Sequence, residues 1–286
     1  MNAPGLPLPA LNPPVLPSPS GPPPVAVPSL PPPPPGQVGL YLSAGFAGDN
    51  KPIRSGLVWR VYEDRGETAK PVLAAQSTNP APTFNLQPGN YMVHVAYGYA
   101  GASKRLTVQS GTIAERLTIS AGALKLGGAV AEQPIPGGKL SFAVYVPIGA
   151  NSEGRLVLSN GKAGEIIRLP EGTYHVVSTY GDSNAIMRTD LKVETGRVTE
   201  ATLNHRAATV TLKLVANEGG EAFAGTAFSV LTPGGDVIRE AIGAFPSVTL
   251  AEGDYTLIAR HEGQVYTREF KVQNGLNRDI EILAKK

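Results

Sequence analysis

The 286-residue chain carries 25 Lys and Arg against 23 Asp and Glu, a formal charge of +2, so it lacks the basic excess that marks nucleic-acid or anionic-lipid binding. It has no cysteine, which excludes disulfides, thiolate metal sites, cysteine nucleophiles and a lipid-modified N-terminal cysteine. No run of about 18 apolar residues occurs, so no membrane-spanning segment is predicted. Met1-Asn2-Ala3-Pro4 lacks the basic head and apolar core of a secretory signal, which leaves a cytoplasmic chain or one whose leader has been removed.

Residues 1–36 hold 16 of the 27 prolines and no charged residue. Proline fixes φ and removes the amide donor, so this segment is predicted as a disordered, proline-rich arm. In polyproline II, at about 3.1 Å per residue, it would reach on the order of 100 Å. The arm reads as a spacer. No Arg or Lys flanks the prolines to orient them in an aromatic groove of the SH3 or WW kind. Arms of this composition resemble those of bacterial envelope proteins that reach across the periplasm, which favours an exported chain.

The remainder states one phrase three times. Leu86-Gln87-Pro88-Gly89-Asn90-Tyr91, Leu169-Pro170-Glu171-Gly172-Thr173-Tyr174 and Leu250-Ala251-Glu252-Gly253-Asp254-Tyr255 share the form Leu-x-x-Gly-x-Tyr, and their tyrosines lie 83 and 81 residues apart. That period suits a small all-β domain, so the chain is expected to be three tandem Greek-key β-sandwich domains, at 37–120, 121–206 and 207–286. The basic and acidic counts of these segments are 8 and 5, 9 and 8, and 8 and 10, a mild drift that reads as solvated surface.

Each copy opens with an alternating strand: residues 38–42, 123–126 and 209–214. A second strand headed by an aromatic residue follows, at Trp59, Phe142 and Phe228. A large ring at one place in every copy is expected to plug the core between two sheets. The repeated phrase then turns the chain, with Gly89, Gly172 and Gly253 expected at positive φ and the tyrosine ring inward, its hydroxyl bonding backbone. Alternation puts Tyr91, Val93, Val95 and Tyr97 on one face, and likewise Tyr174, Val176, Ser178 and Tyr180, and Tyr255, Leu257, Ala259 and His261. Hairpin turns follow at 98–101, 181–184 and 262–264, then Val-x-x-Gly turns ending in Gly111, Gly196 and Gly275. Acids recur at Glu115, Glu200 and Asp279, each before a last strand.

This order of aromatic strand, tyrosine corner, hairpin and Val-x-x-Gly turn resembles the carboxypeptidase regulatory-like or Cna-B-like sandwich, related in shape to transthyretin, over about 250 residues. The resemblance implies architecture first, because such domains serve as stalks, adhesion modules, glycan binders and accessory domains. Some Cna-B-like domains join a first-strand lysine to a last-strand asparagine with a buried acid between them. Lys125, Asn204 and Glu165 are the one rough match to that set.

The residues show no catalytic set. His94, His175, His205 and His261 form no HxH or HExxH pattern, and neither a Gly-x-Ser-x-Gly elbow nor a phosphate-binding glycine loop is present. No metal site and no cofactor is expected. Asp49-Asn50 and Asp182-Ser183-Asn184 read as turns whose side chains bond their own backbone rather than as calcium ligands. The candidate contact residues are the aromatic hairpin tips Tyr99, Tyr97 and Tyr180, since tyrosine offers large area at low entropy cost. The expected function is a non-enzymatic structural or adaptor protein of the periplasm or cell envelope with a protein partner. A module binding peptidoglycan or exopolysaccharide is the alternative, and an accessory subunit of a secreted enzyme the third.

Overall fold

The computed structural model describes residues 32–66 and 70–284. The predicted arm at 1–36 lies outside the described residues except for its last five, where the Gln37 amide closes a turn on the Pro34 carbonyl at 3.0 Å. From Pro33 onward the chain is one compact unit.

The described residues form an all-β structure of six sheets, with a single 3-10 turn at Gly137–Lys139. The first seven strands are β1 (Val38–Phe46), β2 (Val58–Glu63), β3 (Val72–Ser77), β4 (Thr83–Leu86), β5 (Gly89–Tyr97), β6 (Ala100–Val108) and β7 (Thr112–Ile119). They make a three-stranded sheet ordered β4-β1-β7 and a four-stranded sheet ordered β3-β2-β5-β6. The pattern recurs with β8 (Ala121–Val130), β9 (Gln133–Pro134), β10 (Leu140–Ile148), β11 (Asn151–Gly161), β12 (Ile166–Pro170), β13 (Gly172–Tyr180), β14 (Ile186–Val193) and β15 (Val198–His205). Here the sheets are β12-β8-β15, with β9 against β8, and β11-β10-β13-β14. It recurs again with β16 (Ala207–Val215), β17 (Thr226–Leu231), β18 (Val237–Gly243), β19 (Ser247–Ala251), β20 (Gly253–His261), β21 (Gln264–Val272) and β22 (Arg278–Leu283), as β19-β16-β22 and β18-β17-β20-β21.

In each three-stranded sheet the opening strand lies parallel to the closing one, β1 to β7, β8 to β15 and β16 to β22. Such pairing needs a long crossover, and the four-stranded sheet supplies it. Each pair of sheets encloses its own hydrophobic cluster. Trp59, Phe142 and Phe228 are the largest fully buried side chains, at 0%, 0% and 1% exposure, as the recurrent aromatic position predicts. The strictly alternating burial of β5 and β20 follows from the two-residue period of a strand with one face on the core.

The tyrosine corner forms three times. The hydroxyl donates to the carbonyl four residues back, from Tyr91 to Gln87 at 2.8 Å, Tyr174 to Pro170 at 2.9 Å and Tyr255 to Ala251 at 2.8 Å. Two of the three corner glycines, Gly172 and Gly253, have the expected positive φ, at 159° and 158°, close to extended backbone, while Gly89 does not. Each begins a strand, paired with Val108, Val193 or Val272, and a strand start calls for extended backbone. Tyr97 is half-buried and packs against the first cluster, as alternation predicts, and half-buried His261 stacks on Phe223 at the margin of the third.

Links between successive sheet pairs are one residue long: Ser120 between β7 and β8, and Arg206 between β15 and β16. Both are fixed in the same way. The Ser120 carbonyl accepts the Glu171 amide at 3.1 Å, and the Arg206 carbonyl accepts the Glu252 amide at 2.9 Å. Arg206 also pairs with the Glu252 carboxylate at 2.6 Å.

Candidate functional site

The hairpin tips define the site, because two of the three sit inside junctions. The β5–β6 tip turns at Gly98, where φ is 64°, and lies on β12 of the next sheet pair. The Tyr99 amide donates to the Arg168 carbonyl at 3.0 Å, and the Arg168 guanidinium stands over the Tyr97 ring, 5.0 Å from its centroid. Tyr97 also meets Phe46 edge-on at 5.5 Å. A guanidinium over an aromatic face is attracted by the ring quadrupole, and partial burial strengthens that attraction.

The second tip is placed on β19 in the same manner. Gly181, with φ of 74°, approaches Thr249, and the Tyr180 hydroxyl lies 3.4 Å from Thr209 Oγ1. Asn184 Nδ2 donates to the Tyr255 hydroxyl at 2.9 Å, while its Oδ1 accepts the Ala251 amide at 3.0 Å. Asp182 pairs with Arg239 at 2.6 Å across the junction. Arg168 and Thr249 are matching positions, each one residue before the leucine of the repeated phrase.

Below the second tip, buried His205 shares a 2.8 Å hydrogen bond with buried Ser178 and meets the Tyr180 ring edge-on at 6.0 Å. Burial pulls His205 below the ordinary histidine range, and a backbone hydrogen bond to Ala185 partly opposes this. A cleft of about 560 Å³ opens beside the junction, its lining including Lys139, Tyr180, Thr211, Asn277 and Arg278.

The predicted contact residues therefore separate. Tyr97 and Tyr180 pack within junctions, whereas Tyr99 contributes its backbone and leaves its side chain 53% exposed. Sequence reasoning missed Arg168, Thr209 and Thr249, and it read Asp182 and Asn184 as bonding their own backbone, whereas both reach across the junction. The signal that marks the junctions is the Tyr-Gly pair at 97–98 and 180–181, replaced by His261-Glu262 in the third copy.

The other candidates resolve into turns and surface pairs. Asp49 Oδ1 caps the Lys51 amide at 2.9 Å. Glu115 pairs with Lys104 at 2.6 Å, Glu200 with Lys125 at 3.1 Å, and Asp279 with Lys213. His175 is buried against Asp190 at 2.6 Å, and His94 bonds Ser103 at 2.9 Å. Lys125 faces Glu200 in the strand register while Asn204 lies opposite Ala129, so the residues of the covalent cross-link pattern do not meet. Their ladder positions are four residues apart, roughly 13 Å along a strand. Among the described residues there is no group of three His, Asp or Glu placed to hold a metal, and no helix long and apolar enough to cross a membrane.

These features define a protein of tandem β-sandwich repeats locked end to end. A family model described as the Rhizobiales growth-associated tandem repeat domain matches residues 209–284, the third sheet pair. No curated protein matches the chain. Among solved structures it is similar to the Bacillus anthracis TIE protein, at 16% identity and a TM-score of 0.26 over 87% of this chain, which spans 50% of the length of that one. It is also similar to a streptococcal ancillary pilin, at 14% identity and a TM-score of 0.29 over 87% of this chain and 99% of that one. The major pilin subunit BcpA of Bacillus cereus gives 11% identity and a TM-score of 0.22 over 87% and 100%. Likeness at this level carries no inference about what the chain binds.

Proposed function

We propose that the chain is a non-enzymatic structural or adaptor protein of a bacterial cell envelope, with three Greek-key sandwich domains at 37–120, 121–206 and 207–286 behind the arm of residues 1–36. The supporting observation is the doubled junction: a one-residue link plus an inserted hairpin tip at each boundary. A link that short, backed by packing, restricts interdomain motion and suits a spacer that holds a partner at fixed distance. Tyr99 is the contact residue of this reading, being a large exposed ring on a fixed tip.

The test is a photo-crosslinking residue at position 99, expressed in native cells and followed by fractionation. A defined protein adduct in the envelope fraction supports the reading. Recovery of the chain only from the cytoplasm, or of no adduct, overturns it.

The cleft at the second junction favours a second reading, binding of an acidic glycan. Lys139 and Arg278 offer cations there beside the Tyr180 ring and the Asn277 amide. Retention on peptidoglycan or exopolysaccharide that is lost in K139A/R278A supports it, and retention unchanged by those substitutions removes it.

A further inference from the structure

Two repeats build the cleft at the second junction together. Gln133, Lys139 and Tyr180 come from the second, and Thr211, Asn277 and Arg278 from the third. The carboxylate in its lining, Asp279, is paired with Lys213, which leaves the Lys139 and Arg278 cations for a ligand. Asn277 Oδ1 already accepts the Thr209 amide at 2.8 Å, so the free end of that side chain is its Nδ2 donor. The lining is therefore rich in donors and positive charge, which suits an anion that accepts charge-assisted hydrogen bonds. The two cations that would hold such a ligand belong to different repeats.

One wall of the cleft depends on the junction being closed. β8 turns into β9 through Ala131 and Glu132, between the paired Val130 and Gln133, with φ of 46° and 66°. A two-residue hairpin of this kind needs positive φ at both central residues and is normally made with Asn-Gly, because side-chain-bearing residues disfavour that region. Among the described residues no other two adjacent side-chain-bearing residues take positive φ. Such a conformation persists only where its surroundings impose it. Here the third repeat does so. A Cβ added at Gly275 would lie 2.6 Å from the Ala131 Cβ, so the Ala131 side chain rests directly on the Gly275 backbone.

We propose that the cleft is a clamp: an acidic saccharide bound between Lys139 and Arg278 holds the second and third repeats closed, so that occupancy sets the stiffness of this boundary. The proposal rests on the acidic-glycan reading of the cleft and adds what binding does. Separating the repeats carries Lys139 away from Arg278 and frees the Ala131–Glu132 turn, so the ligand binds the closed form alone. Linkage then requires that the ligand suppress opening in proportion to its concentration above Kd, roughly hundredfold at a hundred times Kd.

Two amides whose acceptors lie across a junction report on opening. The Ala251 amide donates to Asn184 at the second junction, and the Tyr99 amide donates to Arg168 at the first, where the clamp plays no part. Hydrogen exchange of both is followed on the full chain with and without trigalacturonic acid at about a hundred times its Kd, measured by calorimetry on the same protein. The expected result is exchange slowed roughly hundredfold at Ala251 and unchanged at Tyr99. Binding and slowing should both be weakened in K139A, where an exposed side chain is removed, and lost in K139A/R278A, with thermal unfolding of the free variants matching the parent. Binding that leaves Ala251 exchange unchanged overturns the clamp while the acidic-glycan reading stands. Equal slowing at both amides also overturns it, since the ligand then stabilises the whole chain. No measurable binding of trigalacturonic acid overturns the reading and the clamp together.

Discussion

Asn184, on the hairpin between β13 and β14, donates to the hydroxyl of Tyr255 at 2.9 Å, and so joins one sheet pair to the tyrosine corner of the next. Its Oδ1 also accepts the Ala251 amide. Tyr255 meanwhile donates its own proton to the Ala251 carbonyl, so one amide side chain completes a corner that is incomplete within its own repeat.

N184A should therefore loosen the second junction. It leaves the part-buried Ala251 amide without its partner, a loss of about 1 kcal/mol. Hydrogen exchange at the Ala251 amide should accelerate, while amides of β1 and β7 keep their protection. Uniform acceleration along the chain would contradict a local role.

The three corner tyrosines give a graded series. Y91F and Y174F each remove one hydroxyl-to-carbonyl bond, with an expected cost of about 1 kcal/mol. Y255F also removes the acceptor of Asn184 and should cost more. Denaturation midpoints of the three variants, read against the parent, check the order. Burial is the leading cause that raises all three phenols above their ordinary range, so no corner titrates near neutral pH.

Acid should weaken the second junction through His205. Its folded pKa lies below the ordinary histidine value of about 6.5, so the unfolded chain binds a proton that the folded chain resists. This contribution is fully present above about pH 6.5 and is lost as pH falls below that value. Half-buried His94, lowered chiefly by burial and then by Arg60, adds a term of the same sign. Melting temperature measured from pH 7.5 to 5 should fall, and H205Q should show a shallower fall. An identical slope in H205Q would exclude His205 as a source.

Trp59 reports on the first sheet pair alone, since it is the sole tryptophan and is fully buried. Its emission should be blue-shifted and resist acrylamide until β2 and β5 separate. W59A opens a cavity and should cost about 3–5 kcal/mol, with unfolding that begins in residues 38–119. F142A should instead leave tryptophan emission unchanged at the denaturant concentration where β10 opens.

Tandem all-β organisation, the core aromatics Trp59, Phe142 and Phe228, and the tyrosine corners were legible in the chain because they are local. A two-residue period, a ring at a repeated offset and a Gly-x-Tyr turn each fix their structure within a few residues. Gly89 departs from the turn that Gly-x-Tyr suggests, because its pairing with Val108 draws the backbone out as strand, whereas Gly172 and Gly253 keep a positive φ.

The junctions were not legible. Tyr97 and Tyr180 alternate like core residues, and nothing near them in sequence names Arg168 or Thr209, which meet them from about 70 and 30 residues away. Which glycine is demanded by a neighbour's backbone, and which only by a turn, depends on the approach of a second sheet pair. Only the tertiary structure brings Gly98 and Gly181 against the following repeat, because that distance is set by packing between repeats rather than by the local chain.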